Sequence, residues 1–319
     1  MTTHVNEYIE KESSQAVPEG NLLDQVGRTP VLPINQLASV SAEQVRVLAK
    51  AEWLNPTGSV KDRPAANILR QALASGQLDS GKALLDSTSG NMGIAYATFG
   101  SALGIDVHLA VPSNASQARL RTLRALGAKL TLTDPLEGSD GARVVAADMA
   151  EENPDRFYYA DQYNNDANWK AHYRSTGPEI VRQTKGEITH FIAGLGTTGT
   201  LVGTGRYLRE HAPAAEIVAV QPDSPLHGLE GLKHLPSAPI PEIYAESVVD
   251  RTIHVSTEAA YEMTRQLARK EGVLVGVSAG AAMWAARQVA AQLERGTVVV
   301  VFPDTGARYL GEPFWEAES

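Results

Sequence analysis

The chain has 319 residues, of which 43% are hydrophobic and 20% charged, which is enough for about two domains with sizeable cores. The 28 Lys and Arg side chains against 37 Asp and Glu leave a net charge of -9 without long runs of one sign, so we expect no nucleic-acid binding. Because the chain has no cysteine, disulfides, thiolate metal sites and cysteine nucleophiles are excluded, and we expect no metal site.

The first twenty residues are polar and acidic, and they lack an apolar run of signal-peptide length. We expect this segment to form a flexible arm or a helix packed on the surface. No later segment is long and apolar enough to span a bilayer. The sequence therefore predicts a cytoplasmic protein with no membrane partner.

After this segment, short runs rich in β-forming residues alternate with segments of helical periodicity. The predicted strands are 45–53, 83–87, 105–112, 128–134, 157–160, 188–194, 217–222 and 297–304. This alternation is typical of an α/β fold with open, mostly parallel sheets flanked by helices.

Glycine and serine mark the ends of the predicted helices. A helix follows Lys61, and Gly76 can close it in a left-handed conformation. A second helix is expected to begin at a Ser113 cap and to run to Leu126. The long non-periodic segment 222–250 contains five prolines, and at that length we expect a functional loop rather than a linker.

Three glycine-rich junctions follow predicted strands, where ligands bind in open parallel sheets. The first is GLGTTGTLVGTGR, which begins at Gly194 and whose free N–H groups at a helix start favour an anion. The hydroxyl groups of Thr197, Thr198 and Thr200 suit a terminal phosphate, so we favour a phosphate-binding loop.

The same junction also fits an alternative, because Gly194, Gly196 and Gly199 spell the dinucleotide fingerprint of a nicotinamide enzyme. That fingerprint expects an acidic residue at the end of the next strand, which here ends at Gln221 and Pro222. A glycine turn without any ligand is the third possibility.

The other two junctions are STSGNMG, 87–93, and GVSAGA, 276–281. The first offers hydroxyl and amide donors at a helix start, suited to a carboxylate, although helix capping by Ser89 or Asn91 explains it equally well. By itself, the second indicates a tight strand-to-helix turn containing Ser278.

Lys61 stands at the start of a predicted helix, where a cation opposes the helix dipole by about 0.3–1 kcal/mol. The ordinary explanation is a solvated lysine. A neutral amine avoids this penalty, and a lysine that forms an imine must have its pKa lowered by burial or by nearby positive potential. Lys61 is therefore a candidate for imine formation.

The sequence resembles the pyridoxal-phosphate enzymes of the cysteine synthase family, also called O-acetylserine sulfhydrylases. The resemblance lies in the order and spacing of four motifs, NPTGSVKDR, TSGNMG, GLGTTGT and GVSAGA. The resemblance runs from Val26 to Gly306 and, through HYRSTGPEI, is nearest to the B-type branch. It implies a two-domain, fold-type II architecture similar to the tryptophan synthase β subunit. Residues 45–162 would form a smaller mobile domain, and 1–44 with 163–319 a larger one that binds the cofactor phosphate.

The resemblance also implies roles for individual residues around pyridoxal 5'-phosphate. Lys61 would hold the cofactor as an internal aldimine and carry the substrate Cα proton. Ser278 would face the pyridine nitrogen, where a hydroxyl favours β-elimination over transamination. Asn91 would bond the ring 3'-oxygen, and the phosphate would be bound by Gly196, Thr197, Thr198, Gly199 and Thr200.

A second implied group binds the substrate, with Met92 standing where the family usually has threonine. The substrate carboxylate would be bound by Thr88, Ser89, Asn91, the backbone of Met92, and Gln162. The segment HGLEGLKHLP, 227–236, contains Gly231 and Lys233, and it resembles the B-type segment that lies over the active site. Lys233 could meet an anionic donor, or it could be a solvated lysine on a mobile loop.

The implied reaction is β-replacement on O-acetylserine or O-phosphoserine. The activated serine loses its leaving group to give an aminoacrylate, and sulfide or a related sulfur donor then adds to give L-cysteine. The same residues would also serve cystathionine or 2,3-diaminopropionate synthesis. A noncatalytic cofactor-binding paralogue and a nicotinamide-dependent dehydrogenase are more remote alternatives, and a homodimer is expected.

Overall fold

A computed structural model describes residues 20–38, 44–78, 81–88 and 90–316. The expected N-terminal arm lies outside the described residues, except for Gly20. Strands within the described residues are β1 (Val31–Pro33), β2 (Gln44–Ala51), β3 (Ala83–Ser87), β4 (Val107–Pro112), β5 (Lys129–Thr133), β6 (Phe157–Tyr159), β7 (His190–Gly194), β8 (Glu216–Pro222), β9 (Arg251–Val255) and β10 (Arg295–Phe302). The α-helices are α1 (Asp62–Ala74), α2 (Asn91–Leu103), α3 (Gln117–Ala125), α4 (Gly138–Glu152), α5 (Asp166–Arg174), α6 (Thr176–Gln183), α7 (Gly199–His211), α8 (Thr257–Gln266) and α9 (Val277–Ala290).

Six strands form the larger sheet, in the order β1-β2-β10-β7-β8-β9. Only the β1–β2 pair of this sheet is antiparallel. Because β2, β10 and β7 are parallel neighbours, the segments that follow them leave from the same edge of the sheet. In register, Phe302 at the end of β10 lies opposite Ala51 at the end of β2.

The larger sheet is buried on both faces, as parallel sheets flanked by helices require. Val298 and Val300 of β10 belong to a core shared with α8 and α9. Val299 and Val301 belong to a second core shared with α6 and α7. The near-continuous apolar run of β10 is thus explained by burial on alternating sides.

Four parallel strands form the smaller sheet, in the order β5-β4-β3-β6. Leu85 of β3, Ala110 of β4 and Phe157 of β6 form a core with Ala142 and Ala146 of α4. The fold prediction is therefore confirmed as α/β, with mostly parallel sheets flanked by helices.

The described residues divide into two compact units, 20–24 with 65–160, and 25–64 with 161–316. These limits differ from the expected domain of 45–162 because β2 pairs along its whole length with β10 of the larger sheet. The mobility of the smaller domain stays a prediction.

Two helix ends show where local sequence signals were sufficient and where they were not. Gly76 has φ 70°, as expected for a left-handed residue after α1. The predicted Ser113 cap is wrong. Residues 112–115 form a turn, so α3 begins later and Ser116 Oγ accepts from Arg119 N.

The long segment between β8 and β9 contains short 3-10 turns but no α-helix or strand, which confirms its prediction as a loop. Among the helices that the structure describes, none has the length and hydropathy needed to cross a bilayer.

Candidate active site

Lys61 lies directly before α1, in a segment that is hydrogen-bonded to the end of β10. Val60 N donates to Pro303 O at 2.7 Å, and Ser59 forms a β-bridge with Asp304. The carboxylate of Asp62 accepts from both the backbone N–H and the hydroxyl of Thr57. These bonds fix the loop and place Lys61 at the carboxyl edge of the larger sheet.

The environment of Lys61 favours the neutral amine. The residue as a whole is partly exposed, but its amine is buried: burial lowers the pKa of Lys61, and the carboxylate of Asp304 offsets this only in part. A lowered pKa is the direction that imine formation requires.

The glycine-rich loop after β7 has donors without partners. Thr198 adopts a left-handed conformation, with φ 71°, which is uncommon for a residue with a branched side chain. Its hydroxyl is buried and has no hydrogen-bond partner among the described residues. Because buried polar groups are normally paired, this hydroxyl and the free N–H groups at the start of α7 suit an anionic ligand.

Two residues of α5 hold the other threonines of the loop. Asn168 Nδ2 donates to Thr197 Oγ1 at 3.0 Å and to Gln162 O at 2.7 Å. His172 Nε2 lies 3.3 Å from Thr200 Oγ1, and His172 Nδ1 lies 2.9 Å from Thr176 Oγ1. Asn168 was not predicted as a site residue, because it lies about thirty positions before the loop and carries no local signal.

The glycines of this loop are required by close packing. A Cβ at Gly196 would stand 2.3 Å from the carbonyl oxygen of Gly231, and one at Gly199 would stand 2.0 Å from Asn168 Oδ1. Lys233 N donates to Leu195 O at 2.7 Å. The predicted segment 227–236 thus packs against the glycine-rich loop.

Ser278 is the second residue of α9 and is buried. The turn before it is tied to the end of β10, because Gly276 N donates to Asp304 O at 3.1 Å. The structure therefore brings three of the predicted motifs, those containing Lys61, Thr198 and Ser278, to the same edge of one sheet.

Gln162 and Lys233 belong to the same unit as these motifs. Gln162 is buried, and its carbonyl oxygen is linked through Asn168 to the glycine-rich loop. Lys233 Nζ lies 5.0 Å from the ring centroid of Tyr163, within the range of a cation–π interaction.

The remaining candidates lie in the other unit, in the connection that follows β3 and in the first turn of α2. Thr88 Oγ1 accepts from Gly90 N at 3.2 Å, and α2 begins at Asn91. Met92 is buried, with 2% of its surface exposed. Ser89 lies outside the described residues.

A buried charged cluster, defined as Lys50, Glu52, Arg63 and Glu179, lies beside the Lys61 loop and was not anticipated. Arg63 donates to Glu52 and Glu179 through bonds of 2.7–2.9 Å. Burial raises the pKa of Glu52, but the charge and hydrogen bonds of Arg63 outweigh burial and lower it to about 2. The sequence contains one signal for this cluster: Lys50 lies within an apolar run and on the same face of β2 as Leu48, which indicates a buried lysine.

These residues fit pyridoxal phosphate. The Thr198 hydroxyl and the α7 N–H groups supply donors for a phosphate, Lys61 supplies an amine with a lowered pKa, and Ser278 supplies a neutral hydroxyl at the same sheet edge. The residue-by-residue roles inferred from resemblance stay predictions.

Comparison with known proteins supports the same cofactor. Residues 22–304 match the model of the family described as pyridoxal-phosphate dependent enzyme. Cysteine synthase from Aquifex aeolicus is 50% identical over 294 residues, which cover 91% of this chain and 90% of that protein.

Solved structures agree on the fold. Cysteine synthase from Entamoeba histolytica has a TM-score of 0.90 at 33% identity, covering 97% of this chain and 95% of that chain. An O-ureido-L-serine synthase has a TM-score of 0.87 at 34% identity, covering 95% and 97%.

Several curated relatives carry the name cysteine synthase B. The resemblance drawn from the four motifs and the predicted cofactor are confirmed, and the dinucleotide alternative for Gly194–Gly199 has no support. The chain belongs to the cysteine synthase family of pyridoxal-phosphate-dependent enzymes.

Proposed function

We propose that this protein catalyses β-replacement on an activated L-serine with sulfide, giving L-cysteine. The observation that carries the proposal is that three segments, those containing Lys61, Thr198 and Ser278, lie at the same edge of the larger sheet. The 50% identity to a cysteine synthase over 91% of the chain supports the same activity.

Pyridoxal phosphate, when bound, withdraws electrons from the substrate Cα, so that the Cα proton and the β leaving group can depart. We assign Lys61 Nζ to hold the cofactor and then to accept the Cα proton. Thr197, Thr198 and Thr200 would bind the phosphate, together with the backbone at Gly196 and Gly199.

Ser278 would meet the pyridine nitrogen with a neutral hydroxyl. A hydroxyl cannot keep that nitrogen protonated as a carboxylate can, so the ring would take up less of the negative charge that develops at the Cα, and elimination of the β substituent would be favoured. This choice of residue accounts for β-replacement rather than transamination.

The substrate carboxylate would be bound by Thr88, Ser89, Asn91, the backbone N–H of Met92, and Gln162. The N-terminus of α2 supports this assignment, because the helix dipole favours an anion there. Asn91 would also bond the ring 3'-oxygen. The 227–236 segment would contact the activated serine through Gly231 and Lys233.

O-Acetylserine and O-phosphoserine are both proposed as the activated serine substrate, since the assigned residues could bind either of them. A nucleophile other than sulfide is the second candidate, because one solved structure of similar fold is an O-ureido-L-serine synthase. Cystathionine and 2,3-diaminopropionate synthesis would use the same residues. The homodimer, the cytoplasmic location and the motion of the smaller domain are proposed from family resemblance, and light scattering and cell fractionation test the first two.

The proposal is tested by incubating the purified protein with O-acetylserine, O-phosphoserine or serine, each with sulfide, and measuring cysteine by mass spectrometry. Parallel reactions replace sulfide with homocysteine, ammonia or hydroxyurea. We expect cysteine from at least one activated serine, no product from Lys61→Ala, and full turnover from Lys270→Ala, which alters an exposed lysine. Absence of cysteine with every donor would refute the proposed reaction.

A further inference from the structure

Asp304 is a buried carboxylate that the family-based assignment of roles does not use. It stands two residues after β10, and only 1% of its surface is exposed. Tyr309 Oη donates to Asp304 Oδ2 at 2.6 Å. The carboxylate also lies against the turn before α9, because a Cβ at Gly276 would stand 2.1 Å from Asp304 Oδ1.

The main chain around Asp304 joins the two segments that carry Lys61 and Ser278. Ser59 is the β-bridge partner of Asp304, and Thr305 N donates to Gly58 O at 3.2 Å. On the other side, Asp304 O accepts from Gly276 N. The carboxylate is therefore held in place relative to both the lysine and the serine.

The charge of the Asp304 carboxylate acts on Lys61. Burial lowers the pKa of Lys61, and Asp304 is the charged group that raises it. The hydrogen bond from Tyr309 stabilises negative charge on Asp304. A buried carboxylate needs such compensation, and a lysine ammonium at the same sheet edge supplies the opposite charge.

Other titratable groups near this point have separate partners. The carboxylate of Asp62 is bonded to Thr57, and burial raises the pKa of Asp62 to about 6. Arg308 donates to Thr57 O. Burial lowers the pKa of His172 to about 3, so its ring is neutral and adds no charge beside Lys61 near pH 7.

We propose that Asp304 is a positioning residue that acts as the counter-charge of the Lys61 ammonium group. In the proposed reaction the Cα–H bond breaks and its proton is transferred to Lys61 Nζ, which becomes positively charged. The electron pair of that bond forms the Cα=Cβ double bond, and the β substituent leaves with the electrons of its bond to Cβ. Asp304 stabilises that charge at a fixed position, so that Lys61 is held for the later return of its proton. The inference rests on the proposed role of Lys61, but it does not depend on the leaving group or the nucleophile.

The test measures the reactivity of the Lys61 amine directly, in the full chain freed of cofactor. Circular dichroism checks that each variant is folded. Acetic anhydride is a small reagent that labels neutral amines, and Lys61 as a residue is partly exposed. The rate of labelling at Lys61 is followed by mass spectrometry from pH 6 to 10, with exposed Lys270 as an internal standard. For Asp304→Asn we expect the apparent pKa of Lys61 to fall by half a unit or more, which is about a threefold faster labelling below that pKa.

Tyr309→Phe is the matched control, because it removes the hydrogen bond and leaves the carboxylate. It should not lower the apparent pKa of Lys61. No change in Asp304→Asn, or an equal fall in both variants, would overturn the proposal, since the second result would indicate altered packing. If Asp304→Asn fails to fold, Asp304→Ser removes the charge with a smaller side chain and is judged by the same criterion. Failure of the proposed reaction would appear in the product assay and not in this labelling.

Discussion

Lys50 Nζ lies 2.7 Å from Glu179 Oε2, and the two side chains are 0% and 8% exposed. Burial alone would raise the pKa of Glu179, but the hydrogen bonds and charge of Arg63 outweigh it and hold that pKa below its ordinary value. Since Arg63 also binds Glu52, the buried cluster contains two cations and two anions. It fixes the first turn of α1, and thereby Lys61, to β2 and α6.

Glu179→Gln should strongly destabilise the unit that contains the cluster. Removing one anion leaves Lys50 and Arg63 buried with a single carboxylate, and breaking a buried pair costs about 3–5 kcal/mol. The free energy of unfolding is measured in urea by tryptophan fluorescence. All four tryptophans belong to this unit, so the signal reports on it.

Glu187→Gln is the control for that prediction. Glu187 pairs with Arg46 at 2.6 Å, but their side chains are 61% and 54% exposed, so the loss should stay within about 1 kcal/mol. Equal losses for Glu179→Gln and Glu187→Gln would show that the buried cluster has no special role in stability.

His172 should make stability depend on pH. Burial, followed by the positive charge of Arg63, lowers its pKa from 6.5 to about 3, so the folded ring stays neutral while the unfolded ring takes up a proton. Stability from this residue is complete above pH 6.5 and is lost as pH falls toward 3. The stability advantage of the wild type over His172→Gln should shrink by up to about 1.4 kcal/mol per pH unit in that window.

The control here is Leu310→Ala, which shortens an exposed side chain that has no titratable group and should give a difference that stays constant with pH. Urea titrations at intervals between pH 7 and pH 4.5 make the comparison. A constant difference for His172→Gln as well would contradict a neutral, buried ring.

Gly196→Ala should weaken cofactor binding. The added methyl group would meet a backbone oxygen, that of Gly231, at 2.3 Å, so the loop that carries Thr198 must shift. We expect the dissociation constant of pyridoxal phosphate to rise at least about tenfold, equivalent to 1.4 kcal/mol. Absorbance titration of cofactor-free protein measures it.

The matched substitution is Gly311→Ala, where an added Cβ meets nothing within 4 Å. Its dissociation constant should equal that of the wild type. Unchanged cofactor binding in Gly196→Ala would mean that the Gly194–Thr200 loop does not bind the phosphate.

Lys233→Gln should affect the reactions of O-phosphoserine and O-acetylserine differently. A phosphate ester carries more negative charge than an acetate ester, and a hydrogen bond to a charged group contributes about 1.5–3 kcal/mol. We expect the KM for O-phosphoserine to rise roughly tenfold, and the KM for O-acetylserine to change little. Steady-state kinetics with each donor test this, with Lys270→Gln as the surface control. An equal rise for both donors would place Lys233 away from the leaving group.

Much of the fold could be predicted because period and composition are local properties. The apolar run of β10 and the alternation in β2 identified both strands. β1 was missed because three residues carry no periodicity, and β9 because its burial alternates weakly within a polar segment. The helix start at Ser116 rather than Ser113 was decided by a turn, which local sequence signals did not separate from a cap.

The candidate site was predictable where a motif is continuous, and not where it depends on distant residues. Lys61 and the glycine-rich loop each lie within one short segment. Asn168 and Asp304 become recognisable only when the chain folds, because their partners are about thirty and more than two hundred residues away. The left-handed Thr198 is likewise set by packing, since its residue type favours another conformation.

The central claim is that Lys61 is the lysine to which the cofactor is covalently bonded. Borohydride reduction of the holoenzyme fixes the cofactor to its lysine, and peptide mapping by mass spectrometry then locates the pyridoxyl group. We expect this group on the peptide containing Lys61 and its absence from Lys61→Ala. A pyridoxyl group on another lysine, such as Lys50 or Lys233, or no covalent group at all, would contradict it.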